Sequence, residues 1–312
     1  MKKYLDVARR FFKRKPQQNE SPLSHDEKAQ LEWLIKMVGP FHPGHFYSPI
    51  PNPSEVEKDQ DVIWGALSHE VEGVDLNREG QLDLFEKLKG FYSDLPFPET
   101  KSKDFRYYYE NPAYSYSDAI ILFCMMRQVQ PRRIIEVGSG FSSCLMLDAN
   151  DLFFQGKVEL SFIEPYPQLL FSLIRNEDKD RIKVIPTRLQ DVELSEFDRL
   201  EENDILFIDS THVSKINSDV NYIFFKILPR LKKGVYIHIH DIFYPFEYPK
   251  HWVYEGRAWN EDYILRAFLQ YNHAFKIVFF STYLEHFYVD AFEKHMPLCL
   301  KNRGGCIWLQ KQ

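Results

Sequence analysis

The sequence has few cysteines and no long apolar run. Its four cysteines, at positions 124, 144, 299 and 306, form no CxxC pair, and each lies among apolar residues. This pattern favours reduced core thiols in a cytosolic protein. No apolar run approaches the roughly 18 residues that a membrane-spanning helix needs. The N-terminal segment MKKYLDVARRFFKRK also lacks the apolar stretch of a secretory signal, so we expect a cytoplasmic protein.

The chain as a whole also lacks an excess of basic residues. It has 39 Lys and Arg against 45 Asp and Glu, for a net charge of −6, which gives no reason to expect nucleic acid as a partner. Residues 1–15, however, carry seven basic side chains and one acidic side chain, and their apolar positions follow one face of a helix. This basic amphipathic helix suits contact with an anionic membrane or a partner. The alternative is a helix that packs on its own domain or frays in solution.

No internal repeat or low-complexity tract is visible, but the pattern changes along the chain. Residues 16–24 are typical of a linker. Residues 25–104 predict helices, one at about Gln81–Phe91, and a Pro-rich wrapping loop, PFHPGHFYSPIPNPS. From residue 105 to 312, seven apolar strand-like segments alternate with helical ones, ending in GCIWLQK. This alternation predicts βαβ units and a parallel sheet with both faces covered.

The turn after the first strand, Glu136-Val-Gly138-Ser-Gly140-Phe-Ser-Ser143, lacks the third glycine of a dinucleotide fingerprint. Ser143 stands in that place, and Glu164, at the end of the second strand, comes 26 residues after Gly138. Glu136 would repel a pyrophosphate, whereas the Glu164 carboxylate suits a ribose diol. The strand ends therefore predict an adenosine-binding edge, and a nicotinamide-dependent oxidoreductase remains as an alternative.

Four ordered motifs, EVGSGFSS, IEP, LQD and FIDSTH, resemble those of class I S-adenosylmethionine-dependent methyltransferases. The resemblance covers about residues 105–312. HIHDIFYPFEYP and GGCIWL further resemble a bacterial branch of small-molecule or glycan methyltransferases. The resemblance implies an α/β fold with a Rossmann-like, doubly wound sheet of seven strands, mostly parallel, with the last strand antiparallel. It also implies S-adenosylmethionine as the cofactor.

The resemblance also implies which residues bind that cofactor. Gly138 and Gly140 would approach its methionine part, and Glu136 would lie near its amino group. Asp209 would face the methionine end and the reaction centre. Ser139, Ser142 and Ser143 belong to the glycine turn. Glu164 would bind the ribose hydroxyls, and Gln190 and Asp191 would contact the adenine. Tyr114, with Tyr109 and Asn111, belongs to the segment that closes over the cofactor.

Polar residues also follow the fourth and fifth strands, which are adjacent in this fold. His238 lies deeper in its strand, and we interpret it as a satisfied core histidine. His212, His240 and Asp241 are candidate catalytic residues, with either histidine as the general base for a hydroxyl acceptor.

A second mechanism places a divalent ion between the aspartates of these two strands, as in some O-methyltransferases that the chain resembles. Asp209 and Asp241 match those positions, and magnesium is the expected ion. The Asp or Asn that commonly follows the second aspartate is Ile242 here. A histidine in its place would favour zinc, iron or manganese.

The loop YPFEYPKHW beyond the fifth strand would wall an acceptor pocket with aromatic faces, or pack on the sheet. The sequence thus predicts a methyltransferase acting on a hydroxyl of a small molecule or saccharide. The alternatives are a catalytically inactive protein that binds the cofactor as a scaffold and, less favoured, the oxidoreductase. The acceptor and the oligomeric state do not follow from the sequence.

Overall fold

The structure, a computed structural model, describes residues 41–312 and, before them, only five helical residues: Asp26, Lys28, Ala29, Glu32 and Trp33. The chain divides into two compact units, Met1–Gly65 and Ala66–Gln312. In the first unit, α1 spans Pro53–Lys58 and α2 spans Gln60–Ile63. The predicted basic helix at 1–15 and linker at 16–24 lie outside the described residues. The domain boundaries at 24 and 104 stay predictions.

The second unit contains one seven-stranded sheet. The order across the sheet is β3-β2-β1-β4-β5-β7-β6; β7 runs antiparallel to β5 and β6, and the other neighbours are parallel. The predicted Rossmann-like sheet with an antiparallel last strand is confirmed. The strands are β1 Arg133–Val137, β2 Glu159–Ile163, β3 Lys183–Ile185, β4 Ile205–Ile208, β5 Tyr236–His240, β6 Phe275–Phe280 and β7 Cys306–Lys311.

Helices connect and cover the strands. The α-helices are α3 Arg78–Leu88, α4 Tyr116–Val129, α5 Phe141–Phe153, α6 Gln168–Leu173, α7 Asp219–Tyr222, α8 Lys250–Tyr254, α9 Glu261–Leu269, α10 Ser281–Phe287 and α11 Val289–His295. Helix α7 continues as a π-helical turn, Ile223–Ile227, and a 3-10 turn, Leu228–Arg230. Further 3-10 turns span Lys89–Asp94, Asn176–Asp180, Leu189–Asp191, Leu194–Arg199 and Pro297–Lys301. No helix in the described part of the chain is long and apolar enough to cross a membrane.

The most deeply buried of these helices is α4. Only Arg127 and Gln128 of its residues are not buried, because the helix is apolar on nearly every face. It ends at Gln130, which adopts a left-handed conformation with φ of 56° directly before Pro131. This is the stop that the proline predicts.

The segment that precedes α4 is fixed by a buried ion-pair cluster. Arg106 donates to Asp178 (Nε to Oδ2, 2.7 Å) and to Asp148 on α5 (Nη1 to Oδ1, 2.7 Å). The backbone N–H groups of Arg106 and Tyr107 both donate to Asp148 Oδ2 at 2.9 Å. Buried charges are stable when they are paired and hydrogen-bonded in this way. The cluster therefore places the aromatic residues 107–116 against the sheet.

The strand order reverses between β1 and β4, which pair with each other while the chain proceeds outward on both sides. In open α/β sheets a crevice forms at such a point, beyond the carboxyl ends of the strands. The glycine turn after β1 and the polar residues after β4 and β5 all lie at that edge.

Candidate active site

The turn after β1 passes extremely close to the chain that leaves β4. Gly138 has φ of +83°, and a Cβ atom added to it would lie 2.0 Å from the carbonyl oxygen of Asp209. The Gly138 N–H donates to the Ile163 carbonyl at 3.0 Å, and the Asp209 N–H donates to the Val137 carbonyl at 2.9 Å. Only glycine fits this position without displacing the β4 loop.

Glu136 holds the same turn from below. Its side chain is fully buried, and its two oxygens accept hydrogen bonds from the hydroxyls of Ser142 and Ser143, each at 2.5 Å. Ser143 Oγ also accepts from the Gly140 N–H at 3.1 Å. Burial raises the pKa of Glu136 to about 8, although the two serine hydroxyls act in the opposite direction. These residues shape the start of α5, and their predicted contacts with the cofactor stay predictions.

A cavity of about 470 Å³ opens beyond the ends of β1, β2 and β4. Its size is within the range of small-molecule sites. Four of the predicted cofactor-binding residues line it: Gly138, Glu164, Gln190 and Asp209. Ser210 also lines it, and the buried Ser210 hydroxyl has no hydrogen-bond partner among the described residues, like that of the predicted residue Ser139. Buried hydroxyls of this kind are expected to have a partner, so the site fits a polar ligand such as S-adenosylmethionine.

The predicted ribose and adenine residues differ in how they face this cavity. Glu164 is half-buried, and its Oε1 accepts from the Tyr166 N–H at 2.8 Å. Gln190 donates to the Asn217 carbonyl at 2.7 Å and so joins the two loops that line the cavity. Asp191 is exposed, pairs with Arg188 at 2.8 Å and is not among the lining residues. The hydrogen bond from Arg188 lowers the pKa of Asp191.

The predicted closing segment is packed in the core. Tyr109 stacks on Tyr116 with ring centroids 5.0 Å apart, and the Asn111 side chain bonds the backbone of Tyr108, Ala113 and Tyr114. Tyr114 is buried, donates to the Asp118 carbonyl at 3.0 Å and lies 5.2 Å from the His240 ring. In this arrangement Tyr114 supports His240, and its contact with the cofactor stays a prediction.

The loop after β4 is fixed at both ends. At one end, Asp219 on α7 accepts from Thr211 through the backbone N–H (3.0 Å) and the hydroxyl (2.6 Å). At the other end, the His212 carbonyl accepts the N–H groups of Asn260 (3.1 Å) and Glu261 (3.2 Å) at the start of α9. The loop therefore presents Asp209 and His212 in a defined geometry.

Three carboxylates surround the buried His212 ring. Its Nδ1 lies 2.9 Å from Glu261 Oε2, and its Nε2 lies 3.4 Å from Asp209 Oδ1 and 3.5 Å from Asp241 Oδ2. Burial alone would lower the pKa of His212, but Asp209 and Glu261 outweigh it and raise the pKa to about 10. Burial would raise the pKa of Asp209, and the charges of His240 and His212 instead bring it below its usual value. Asp209 thus belongs both to the cavity and to this cluster.

His240 and Asp241 complete the cluster from β5. His240 is buried with its Nε2 3.5 Å from Asp241 Oδ1. Burial raises the pKa of Asp241, although His240 and His212 act in the opposite direction. Burial would lower the pKa of His240, but Asp241 and Asp209 raise it. Asp241 keeps 19% of its side-chain surface exposed, against 8% for His240, so the carboxylate is the more accessible group.

His238 lies deeper, as the alternation predicts. It is fully buried and stacks on Phe207 with centroids 4.0 Å apart. Neither ring nitrogen finds a hydrogen-bond partner within the described ranges, which differs from the satisfied core histidine that we predicted. Burial holds the pKa of His238 well below the usual value, so the ring is neutral and packs as an aromatic side chain.

The predicted metal site at Asp209 and Asp241 does not fit the arrangement around it. The His212 nitrogen stands between the two carboxylates, whereas magnesium takes oxygen ligands and keeps several waters. Over residues 41–312 and the five described before them, no group of three or more His, Cys, Asp or Glu side chains is arranged to hold a metal ion. We therefore derive no step through a metal.

The aromatic loop after β5 packs in part on the sheet, and its predicted role as a wall of an acceptor pocket stays a prediction. Tyr244, Phe246 and Tyr248 are buried and pack on the sheet, whereas Phe243 and Trp252 are half-buried. Trp252 contacts Phe243 edge-on at 5.0 Å and Trp259 at 5.2 Å. Trp259 in turn lies 4.5 Å from the His212 ring. An apolar wall therefore runs from the loop to the cluster.

Sequence reasoning missed Glu261, Trp259 and Asp219 as parts of the site. Asp219 and Glu261 lie in the first turns of α7 and α9, where an acidic residue is also expected for favourable interaction with the helix dipole. The spacing of Glu261 to His212 carried no signal, because their contact spans 49 positions.

Part of this chain is similar in sequence to known proteins. Residues 135–242 match the family model of a methyltransferase domain. An uncharacterized protein from Archaeoglobus fulgidus is 40% identical over 172 residues, which cover 52% of this chain and 75% of the relative.

Solved structures that match most of the chain include two methyltransferases. A methyltransferase from Podospora anserina with bound SAH has 13% identity and a TM-score of 0.43, over 94% of this chain and 100% of that one. An O-methyltransferase of tomaymycin synthesis from Streptomyces achromogenes, in complex with SAM, has 15% identity and a TM-score of 0.41, over 84% and 96%.

Proposed function

We propose that the chain, whose residues 135–242 match a methyltransferase domain, is a class I S-adenosylmethionine-dependent methyltransferase that methylates a hydroxyl group of a small molecule or saccharide. One observation carries the proposal: Asp209 lines the cofactor cavity and also contacts the cluster of titratable residues after β4 and β5. Groups that can move a proton thus lie at one end of the cavity, which is where a hydroxyl acceptor needs them.

The cavity lining supports an assignment of the cofactor-binding residues. Glu164 accepts hydrogen bonds from the ribose hydroxyls, Gln190 contacts the adenine, and the Gly138 turn with the Ser139 and Ser210 hydroxyls receives the methionine part. The cofactor, when bound, supplies an electrophilic methyl group. The residues of the chain position the acceptor for in-line attack and exclude water.

Asp241 is the group that we assign as general base. A base that already carries its proton at neutral pH cannot accept another, and the pKa of His212 is raised to about 10. Asp241 is more accessible than either histidine and lies 3.5 Å from His240 Nε2. Asp241 accepts the hydroxyl proton. His240, whose Nε2 faces the Asp241 carboxylate, keeps that carboxylate in position. The base must be unprotonated, so the raised pKa of Asp241 places the loss of activity in acid above the ordinary carboxyl range.

The acceptor lies against the half-buried faces of Phe243, Trp252 and Trp259. Both sugar rings and aromatic rings stack on such faces. Tyr248, although buried, closes the back of this wall at 6.2 Å from Trp259. The wall therefore supports a cyclic acceptor.

Calorimetric titration with S-adenosylhomocysteine tests the cofactor site. We expect Glu164→Ala to weaken binding by about 10- to 100-fold, the value of charged hydrogen bonds to two hydroxyls. Glu159→Ala is the matched control, because Glu159 begins the same strand, is exposed and pairs with Arg133 at 3.0 Å. Equal affinities in wild type and both variants would contradict the assigned site.

Transfer from methyl-labelled cofactor to a panel of phenols, saccharides and amines tests the reaction. We expect label on hydroxyl oxygen and a loss of kcat of at least about 100-fold in Asp241→Asn, with the S-adenosylhomocysteine Kd unchanged. Label on amines alone would contradict O-methylation. Binding without turnover on the whole panel would instead support the cofactor-binding scaffold.

A further inference from the structure

The place between Asp209 and Asp241 is already filled by a side chain of this protein. These aspartates directly follow the neighbouring strands β4 and β5, and the sequence resemblance implies a divalent ion between them. Here the His212 Nε2 atom lies 3.4 Å from the Asp209 carboxylate and 3.5 Å from that of Asp241. The imidazole edge thus contacts both carboxylates at ion-pair distance.

Three consecutive residues hold the ring in this place. Trp259 packs against it at 4.5 Å, the N–H groups of Asn260 and Glu261 bind the His212 carbonyl, and the Glu261 carboxylate contacts Nδ1 at 2.9 Å. Glu261 is fully buried, and its other oxygen has no partner in the part of the chain that the structure describes. The backbone of His212 is itself left-handed, with φ of 58°. The His212 ring is thus held by contacts with its backbone carbonyl, its face and its Nδ1 atom. These contacts oppose the rotation of the ring that would make room for an ion.

The charges around the ring agree with this position. Each ring nitrogen faces a carboxylate oxygen, and a neutral imidazole has only one N–H to donate. A ring with both nitrogens protonated satisfies both contacts and places one positive charge among three carboxylates. The charged groups facing it come from β4 (Asp209), β5 (Asp241, His240) and α9 (Glu261). A divalent ion between the two carboxylates would have to displace the imidazole edge that already contacts both of them.

We propose that His212, held by Glu261, replaces the divalent ion between Asp209 and Asp241, so that this protein carries out its reaction without a metal at that position. His212 is in this sense a positioning residue, because it fixes the orientation of the two carboxylates, one of which faces the cofactor cavity. Glu261 acts through His212. The inference does not depend on the identity of the acceptor.

Manganese binding measured by electron paramagnetic resonance tests the proposal, because the signal of free Mn²⁺ falls as the ion binds. The experiment uses the full chain, with and without S-adenosylhomocysteine. We expect no specific loss of signal with the wild type. We also expect no stoichiometric metal in the purified protein by elemental analysis.

The His212→Asn variant removes the Nε2 atom from between the two carboxylates and leaves a shorter amide, whose oxygen can reach no farther than the place of Nδ1. Asparagine tolerates the left-handed backbone better than most residues, so the loop is expected to keep its shape. We expect this variant to bind about one Mn²⁺ per chain, and the second change Asp209→Asn to abolish that binding. His251→Asn, at an exposed histidine on α8, is the matched control and should gain no ion.

Two results would overturn the proposal. One is a Mn²⁺ or copurified metal ion in the wild type that Asp209→Asn removes, since both aspartates would then be metal ligands. The other is a folded His212→Asn variant that binds no ion, since the imidazole would not be what excludes it. If His212→Asn does not fold, Mn²⁺ binding by the wild-type protein alone tests the proposal. Cofactor affinity is measured separately, so failure here is distinct from failure of the methyltransferase site.

Discussion

The turn after β1 requires a residue without a side chain at Gly138. Replacing it with alanine requires a left-handed backbone, at a cost of about 1–2 kcal/mol, and places a Cβ atom 2.0 Å from the Asp209 carbonyl. We expect Gly138→Ala to lower the free energy of unfolding by at least that amount and to abolish S-adenosylhomocysteine binding, because the loops after β1 and β4 must separate. Urea denaturation and calorimetric titration measure the two effects.

Gly90→Ala is the control for the glycine-to-alanine change itself. An added Cβ at Gly90 meets nothing within 4 Å, so stability and binding should stay close to those of the wild type. If Gly138→Ala has the stability and the S-adenosylhomocysteine affinity of this control, the turn can relax around the added Cβ atom. The close approach of Gly138 to Asp209 would then not be required for cofactor binding.

The sequence predicts residues well where the signal is local. The acidic residue, the two glycines and the strand that precedes them occupy adjacent positions, so the turn at Glu136–Gly140 could be placed without a structure. The partners of those residues are a different matter. That Glu136 would be fully covered by Ser142 and Ser143, or that Glu261 would face His212 from 49 positions away, depends on how the helices pack, which no local pattern encodes.

At the scale of elements, Glu285 joins α10 to two other parts of the fold. Its carboxylate is buried, accepts a hydrogen bond from Ser117 on α4 and is contacted by the Gly304 N–H before β7 at 3.2 Å. Burial raises its pKa from 4.5 to about 8, although the Ser117 hydroxyl acts in the opposite direction. The folded protein thus holds Glu285 neutral, and ionising it costs stability.

This raised pKa makes stability depend on pH in a definite direction. The stabilising contribution of Glu285 is complete below about pH 4.5 and is lost as the pH rises towards about 8, because only the unfolded chain releases the proton over that range. Glu285→Gln is neutral throughout. We expect the wild type to lose stability relative to this variant between pH 5 and pH 8.5, by a few kcal/mol at most, as measured by urea denaturation at both pH values (~1.4 kcal/mol per pKa unit).

The Glu285→Gln substitution can itself change the free energy of unfolding by an amount that does not depend on pH. Only the change with pH in the difference between the wild type and the variant tests the pKa of Glu285. Glu293→Gln, at an exposed position on α11, should show no such divergence from the wild type. Parallel stability curves for the wild type and Glu285→Gln would mean that Glu285 is already ionised in the folded protein at neutral pH.

Helices α10 and α11, which follow β6, show where the apolar pattern of the sequence fails to predict secondary structure. All seven strands were predicted, because each is an apolar run bounded by polar or turn residues. Helices α10 and α11 were not. Ser281 starts α10 directly after Phe280 ends β6, so the run FKIVFFSTYLEHF changes from strand to helix with no turn residue between. Helix α3, predicted at Gln81–Phe91, begins three residues earlier and continues as a 3-10 turn.

At the scale of the whole molecule, the cofactor site belongs to one compact unit. Every residue that lines the cavity lies between Val137 and Asp219, and the catalytic cluster extends this only to Glu261. The unit Ala66–Gln312 contains the complete sheet. The antiparallel insertion of β7 between β5 and β6 brings the C-terminal residues into its centre, so this unit depends on the chain through to the last strand.

We therefore expect the fragment Ala66–Gln312 to fold and to bind S-adenosylhomocysteine with the Kd of the full chain. At a ligand concentration of 100 times Kd, binding should stabilise the fragment by about 2.7 kcal/mol, which corresponds to a rise in Tm of roughly 5–10 °C for a unit of this size. The fragment carrying Glu164→Ala should lose most of that rise. A soluble, cooperatively unfolding fragment with much weaker binding than the full chain would mean that residues 1–65 contribute to the cofactor site, because the lining residues themselves are all retained.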